Sequence, residues 1–470
     1  MPDKSKSHLA QKFLQAIARS KELLHRAQVT RATVYGVLGS CWGVLAGPVT
    51  MILITRHFTP EVQGYYYTFS SVLALNIFFE LGFSNIVKFF AGHEWAKLSL
   101  GQQGRIIGDS DAYSRLVSLG RVSFRWYLMG GIIVALGIGG AGYIFFSRSP
   151  NTAVLWVAPW LVLSILSGVN MALIPVWSIL EGCNQVSQVY FFRMVGAVLV
   201  TIATWTSMCL GVGLWTASIS TTCLLVWSAV FIFRRYSRFF QSFLSRPTGP
   251  VVSWWGEIWR VQWRSAVGYL SGYFTAYVFT PILFHFHGPV VAGKFGMSWG
   301  IAGALAGVAL MWSTPRGPQF AVMIANRDYK KLDQILFRIM AITVAILLSA
   351  ALIAWLVVYG LNVINHPFAV RVLPPLPMAL LLIGVMVANS LHPMSVYLRA
   401  HKREPYMAIS VAGGILTGLL AMILGTRFGA LGATIAYLAT NLILFPWGLA
   451  IFFRCRREWH QIPADNQQLG

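Results

Sequence analysis

The sequence predicts an all-α polytopic membrane protein of about twelve transmembrane helices, organised as two pseudo-symmetric halves of six. Three observations carry this. Of 470 residues, 56% are hydrophobic and only 11% charged, against roughly 25% charged in an ordinary soluble domain. Twelve runs reach the length needed to cross a bilayer, about 20 mainly apolar residues each. A short motif also recurs once in each half, between the first two spans.

Residues 1–30 come first, as an expected cytoplasmic basic amphipathic segment. Leu9, Phe13, Ile17 and Leu24 recur near a 3.6-residue period among Lys4, Lys6, Lys12, Arg19, Lys21 and Arg26, a pattern suited to membrane lipids of an anionic leaflet. The competing reading is a frayed basic tail. The segment is too polar to be the apolar core of a signal peptide. The N-lobe, 31–233, holds spans near 32–55, 65–91, 124–146, 153–180, 187–210 and 215–233. In the first, Gly36, Gly39, Gly43 and Gly47 make a small-residue face for helix packing. A cytoplasmic inter-lobe linker follows at 234–264. The C-lobe, 265–453, holds spans near 265–286, 292–320, 337–359, 373–398, 406–425 and 429–453, and 454–470 is a cytoplasmic tail.

An even number of spans leaves both termini on one side, and cations decide which. The segments facing with the N-terminus hold 30 of the 36 Lys and Arg; the opposite side holds Arg56, Arg148, Lys294, Arg371 and Arg427. Positive charge stays inside, so both termini are expected in the cytoplasm. The net charge of +22 is spread over many loops and not gathered in one soluble block, which argues against nucleic acid. Five scattered cysteines form no CxxC and no Cys/His cluster, so neither a disulfide framework nor a zinc site is indicated. Asp109-Ser110-Asp111 forms a DxD, but with no nucleotide-binding domain around it the triplet reads as a solvated acidic loop. Short external loops and the lack of Walker A, GxSxG or HExxH patterns exclude an enzyme or ATP-driven pump, and no cofactor is expected.

Pro60-Glu61-Val62-Gln63-Gly64-Tyr65-Tyr66 and Pro289-Val290-Val291-Ala292-Gly293-Lys294-Phe295 both read P-x-V-x-G-x-aromatic, residue 60 matching residue 289. That offset carries Arg31 onto Arg260 and Lys88 onto Gly317, beside Arg316. Pro48 and Pro281 are expected to kink the first span of each half. Internal repeats of this kind mark transporters built from two related bundles.

The stretch from Phe58 to Glu94, with its Phe79-Glu80-Leu81-Gly82 patch, resembles the Wzx-type polysaccharide (O-antigen and oligosaccharide) flippases of the MATE-like MOP superfamily. The resemblance implies two six-helix lobes around a central cavity lined mainly by the first, second, seventh and eighth helices. It also implies alternating access that carries a lipid-linked oligosaccharide across the bacterial inner membrane, with polysaccharide assembly enzymes as partners in making a surface polysaccharide.

Within the spans, Glu80 is the acid nearest mid-membrane. A carboxylate there costs about 3 kcal/mol on insertion scales, so it reads either as a coupling site for H+ or Na+ or as a structural hydrogen-bonding acid. Lys88 lies eight residues on, about 12 Å along a helix, too far to pair with it. An anionic diphosphate needs fixed cations, and the candidates are Lys88, Arg316, Arg193, Arg31 and Arg264; the competing reading is that each snorkels to the anionic leaflet. Arg316 stands in Thr314-Pro315-Arg316-Gly317-Pro318, where two prolines should unwind the helix. His285 and His287 read as interfacial. Tyr65, Tyr66, Tyr67, Phe69, Phe78 and Phe79 could stack on sugars, but such residues more often pack helices. The alternatives to a flippase are a MATE-like drug or organic-cation antiporter, which should favour cavity acids, and a non-transporting scaffold for glycan assembly.

Overall fold

The computed structural model describes residues 31–102, 104–148, 153–401 and 403–461, without the side chains of Val261, Arg264 and Gln461. The basic segment at 1–30, residues 462–470 and the Arg264 side chain therefore lie outside the described residues. Ten segments are long and apolar enough to cross a membrane, and the bent pair Pro60–Glu80 and Phe83–Trp95 makes eleven. The last segment, Met407–His460, has 54 residues, about 81 Å of helix against a hydrocarbon core of ~30 Å. It is a hairpin. Gly429 breaks it with φ 58° and ψ −137°, and Tyr406 Oη at its start donates to Gly448 O far along it, at 3.0 Å. Counting this segment as two gives the twelve expected spans.

We number them helices 1–12. Helix 1 is Arg31–His57, helix 2 the bent pair, helix 3 Ser110–Ser147, helix 4 Val157–Gly182, helix 5 Val186–Cys209 and helix 6 Trp215–Leu244. Helix 7 comprises Trp259–Ala276 and Phe279–His287. Helices 8, 9 and 10 are Pro289–Ala325, Tyr329–Val363 and Pro375–Ala400. Helices 11 and 12 are 407–428 and 430–461. Packing repeats between the halves: helix 1 lies on helix 5 as 7 lies on 11, 3 on 4 as 9 on 10, and 4 on 6 as 10 on 12.

Local chemistry explains most ends. Thr59 Oγ1 caps helix 2 at Val62 N, with Pro60 opening the first turn. Asp109 of the DxD caps helix 3 by accepting from Ala112 N at 2.9 Å, so one of its two acids is a helix cap. Helix 1 runs unbroken through Pro48, whereas helix 7 is interrupted just before Pro281. The glycine face of helix 1 is used only in part. A Cβ on Gly36 would meet the Tyr190 ring and one on Gly39 would meet Met194, while one on Gly43 or Gly47 would meet no other element within 4 Å among the described residues. A small antiparallel hairpin, Leu98–Leu100 with Ile106–Gly108, joins helices 2 and 3; its runs are too short to register as strands in the sequence.

We call the end carrying the described chain termini the basic end. There the linker is strapped to the N-lobe. Gly249 N and Val252 N donate to Ser114 Oγ and Ser118 Oγ, both at 2.9 Å, and Gly120 leaves room for the Phe243 ring. Trp254 stacks on Trp126 at 4.9 Å and meets Phe83 edge-on at 5.3 Å. Arg115 then bridges Glu94 at 2.8 Å and Glu257 at 2.7 Å.

The Arg115 guanidinium, with the Ser253 backbone N–H, holds the Glu257 carboxyl below the usual carboxylate range. A depressed carboxyl contributes stability above its unfolded pKa of about 4.3 and loses it as pH falls through the folded value. Glu257→Gln should therefore lower the melting temperature slightly at pH 7, by no more than about 1 kcal/mol equivalent for a partly exposed pair. The difference should shrink as pH falls below about 4. A gap between parent and variant that stays constant down to about pH 3.5, well below the ordinary carboxyl value, contradicts the assignment.

Candidate functional site

The two lobes touch most tightly where the repeated motifs meet. A Cβ on Gly64 would stand 1.9 Å from Pro289 O, and one on Gly293 would stand 2.9 Å from Gly64 N. The paired glycines of the repeat thus lie backbone against backbone. Gln63 Nε2 donates to Gly293 O and to Arg371 O, both at 3.0 Å. Arg371 donates back to Gln63 Oε1 at 3.4 Å, to Thr55 O at 3.2 Å and to Phe58 O. Partial burial lowers the pKa of the Arg371 guanidinium, against the opposing charge of Glu61. This end of the interface is closed.

Toward the basic end the lobes part around a cleft of about 670 Å³. Helix 2 contributes Ile77, Asn85 and Phe89, helix 7 Tyr269 among others, helix 10 Arg399, and helix 11 Ser410 with its N-cap residue Tyr406. Arg403 and Glu404, between those two helices, also line it. The resemblance implies a lining of helices 1, 2, 7 and 8; this cleft shares helices 2 and 7 with that set and adds 10 and 11. Asn85 Nδ2 donates to Tyr269 Oη across it at 2.6 Å.

Several helices of both lobes are broken, and helices 2 and 10 are among those that line the cleft. Helix 2 bends by 45° at Leu81 (φ 47°) and Gly82 (φ 72°), two consecutive left-handed residues. For Leu81 that conformation costs roughly 1–2 kcal/mol. Glu80 offsets the cost: its carboxylate accepts from Gly82 N at 3.0 Å, Ser84 N at 3.3 Å, Ser84 Oγ and, more weakly, Tyr127 Oη at 3.4 Å. An anion thus sits on the first N–H groups of the second half-helix. Helix 8 breaks at the repeat-related place. It stops at Leu310, passes through the 3₁₀ turn Thr314–Arg316 and resumes at Gly317, as the two prolines led one to expect. Helices 4 and 10 break too, just before Pro175 and Pro393.

The proposed cations fall into two groups. Lys88 Nζ lies 2.7 Å from Glu181 Oε2, and Arg193 binds the other oxygen of the same carboxylate. One buried acid thus holds two half-exposed cations from helices 2 and 5. Glu181 lies near the end of helix 4 and is not among the site residues expected from the sequence. A signal for it existed: residues 175 and 393 are 218 apart, as are Glu181 and Arg399, so the acid and the arginine hold equivalent places after their helix breaks. Arg316 donates to Gln319 Oε1 at 2.8 Å and has no ion-pair partner among the described residues. Arg31 is exposed at the start of helix 1.

The other candidates pack. Tyr65 and Phe69 are buried against Phe146, with Trp160 beside Phe69, Tyr67 faces Gly296, and Phe78 meets Tyr273 at 5.3 Å. His287 Nε2 lies 2.9 Å from Gly425 O and 3.0 Å from Thr426 O, which ties helix 7 to the helix 11–12 turn. No group of three metal-ligating side chains occurs among the described residues.

No protein family matches the chain in sequence, and no curated protein does. Solved structures do match in shape. A lipid II flippase, MurJ, in an inward closed conformation superposes with a TM-score of 0.62 at 12% identity, over 91% of this chain and 90% of that one. The MATE multidrug transporter DinF-BH gives 0.60 at 15% identity, over 91% and 95%. An inward-facing multidrug resistance MATE transporter of the MOP superfamily gives 0.53 at 15%, over 87% and 99%. This chain has their fold.

Two outcomes test the geometry. Gly64→Val should push the closed end apart, raising hydrogen exchange at residues 60–66 and 289–296; an unchanged profile contradicts the backbone contact. Glu181→Gln should cost about 1–3 kcal/mol by leaving Lys88 and Arg193 facing each other without their acid. Lys88→Gln in the same chain should recover part of that loss, read from melting in detergent as a double-mutant cycle. Strictly additive effects rule the bridge out.

Proposed function

We propose that this protein is a MOP-superfamily transporter that flips a polyprenyl-diphosphate-linked oligosaccharide across the bacterial inner membrane by alternating access. The basic end would face the cytoplasm, as the distribution of cations supports. The observation that carries the reading is the charge around the parted end of the lobes. Lys88 and Arg193 share one carboxylate, Arg316 has none among the described residues, and Arg399 and Arg403 line the cleft with Glu404 as its acid. That excess suits a diphosphate, which accepts charge-assisted hydrogen bonds from guanidinium and ammonium groups. It suits an organic cation poorly. The shared shape with a lipid II flippase is consistent with a lipid-linked cargo.

In this reading the cargo enters through the parted basic end and its diphosphate meets the cations. The interface then rocks about the helix breaks until the Gly64–Gly293 contact opens. Glu80 is the proposed coupling group. Protonation would turn one of its oxygens from acceptor to donor, withdraw a bond from Gly82 or Ser84, and loosen the bend of helix 2. A proton thereby acts on the conformation of the break directly, and sodium would act by competing for the same oxygens. A role in supplying surface-polysaccharide assembly enzymes belongs to the same proposal.

Reconstituted vesicles with a fluorescent polyprenyl-diphosphate-linked oligosaccharide should show translocation. Lys88→Ala with Arg316→Ala and Arg399→Ala should slow it about tenfold or more, the scale of losing one strong charged contact. Glu80→Gln should remove dependence on an imposed pH or sodium gradient while cargo still binds. Gradient-driven uptake of an organic cation without lipid movement would replace this reading with drug antiport. Movement of neither would leave a scaffold.

A further inference from the structure

A groove larger than the inter-lobe cleft lies elsewhere among the described residues. It is an apolar channel of about 780 Å³ on the outside of the N-lobe, between helices 3, 4 and 6. Val169, Val176, Val226, Ala229, Phe233 and Phe243 are among its lining residues, and Arg121 and Arg125 are the only charged ones described there. From this arrangement we infer a binding site for an anionic phospholipid: the phosphate at the two arginines, an acyl chain along helix 6.

Four observations point to that occupant. Helix 3 has 38 residues, about 57 Å of helix. Counting the roughly 20 residues of a hydrocarbon crossing back from Ser147 puts the headgroup boundary near Tyr127, with Arg121 and Arg125 just outside it. Those arginines are four apart and so share one helical face. Arg121 donates to Ser245 O at 2.8 Å, which anchors it while leaving other N–H groups of its fork available, and Arg125 is exposed. Among the described residues, no Asp or Glu lines the groove. Helix 6 also changes form there: a π-turn at Ile232–Tyr236 leads to a 3₁₀ turn at Ser242–Leu244, which folds Phe240, Phe243 and Leu244 back over the channel. Such π-turns concentrate at functional sites. Below them, the floor runs along helix 6 from Leu225 to Phe233, a rise of about 12 Å.

Charge complementarity selects among occupants. The N-terminal segment 1–30 is basic and would meet two arginines. A zwitterionic lipid would gain the apolar contact, but its own cation would stand against the guanidiniums. An anionic headgroup satisfies both halves of the groove. The site lies outside the inter-lobe cleft and does not depend on the transport reading.

Native mass spectrometry of the full-length protein in detergent tests it, with phosphatidylglycerol and phosphatidylcholine of identical chains as probes. Phosphatidylglycerol should be retained preferentially. Arg121→Gln with Arg125→Gln should weaken that retention about tenfold or more while leaving phosphatidylcholine unaffected. Ala229→Phe, which fills the channel, should weaken both lipids. Melting of the delipidated variants at the parent temperature would exclude misfolding as the cause. Equal retention of the two lipids by the parent, or undiminished phosphatidylglycerol binding by both variants, would overturn the inference. So would displacement of phosphatidylglycerol from the groove by polyprenyl phosphate at equal concentration, which would assign it to the tail of the transported lipid.

Discussion

Gly64 and Gly293 approach so closely that neither can carry a side chain, and the disposition of both lobes follows from that contact. Bringing two helices to backbone distance excludes water and turns backbone carbonyls into partners for the other lobe. Gln63 and Arg371 use that opportunity, reaching Gly293 O, Thr55 O and Phe58 O. Because helices 2 and 8 are pinned here at one end, any separation of the lobes must appear at the other. The cleft among helices 2, 7, 10 and 11 is that separation. A closed end built from glycines and from hydrogen bonds to neutral acceptors can also be undone without breaking an ion pair in low dielectric, a step that would cost several kcal/mol.

The second constraint is the breaking of helices at equivalent levels in both lobes. A break exposes backbone groups that lipid cannot satisfy, and each break has its own remedy. In helix 2 it is the Glu80 carboxylate on Gly82 N and Ser84 N. In helix 8 the Thr314–Arg316 turn intervenes, with Arg316 N bonded to Ser313 O at 3.1 Å. Past the breaks come Lys88 and Glu181 in one lobe and Arg399 in the other, with Arg316 in the break of helix 8 itself. The N-lobe neutralises part of its charge through Glu181; the C-lobe, with an arginine at the matching place, does not. The lobes are alike in backbone and different in electrostatics.

Much of this was legible in the residues. Apolar runs and loop cations located the spans, and P-x-V-x-G-x-aromatic marked the two segments that meet, although nothing in the motif says that its glycines face each other. The break in helix 8 was readable from Pro315 and Pro318. That in helix 2 was not, because Leu81 gives no sign of a left-handed backbone before the adjacent Gly82. Glu181 was hidden for a different reason: loops of unequal length shift the offset from 229 at helices 2 and 8 to 218 at helices 4 and 10, so one constant offset cannot align both. Helix 3 extends well beyond its apolar window because residues 110–123 pack on the linker and not on lipid, a tertiary fact that hydropathy does not carry.

The central claim is that the lobes move reciprocally about these breaks, opening at the glycine contact as they close at the basic end. Electron–electron resonance distances between spin labels test it most directly, with one pair at Ser147 and Asn365 and another at Gln102 and Arg327, all exposed positions. Adding a polyprenyl-diphosphate-linked oligosaccharide under a proton gradient should lengthen the first distance and shorten the second. Both distances unchanged, or both moving in the same direction, would contradict the account.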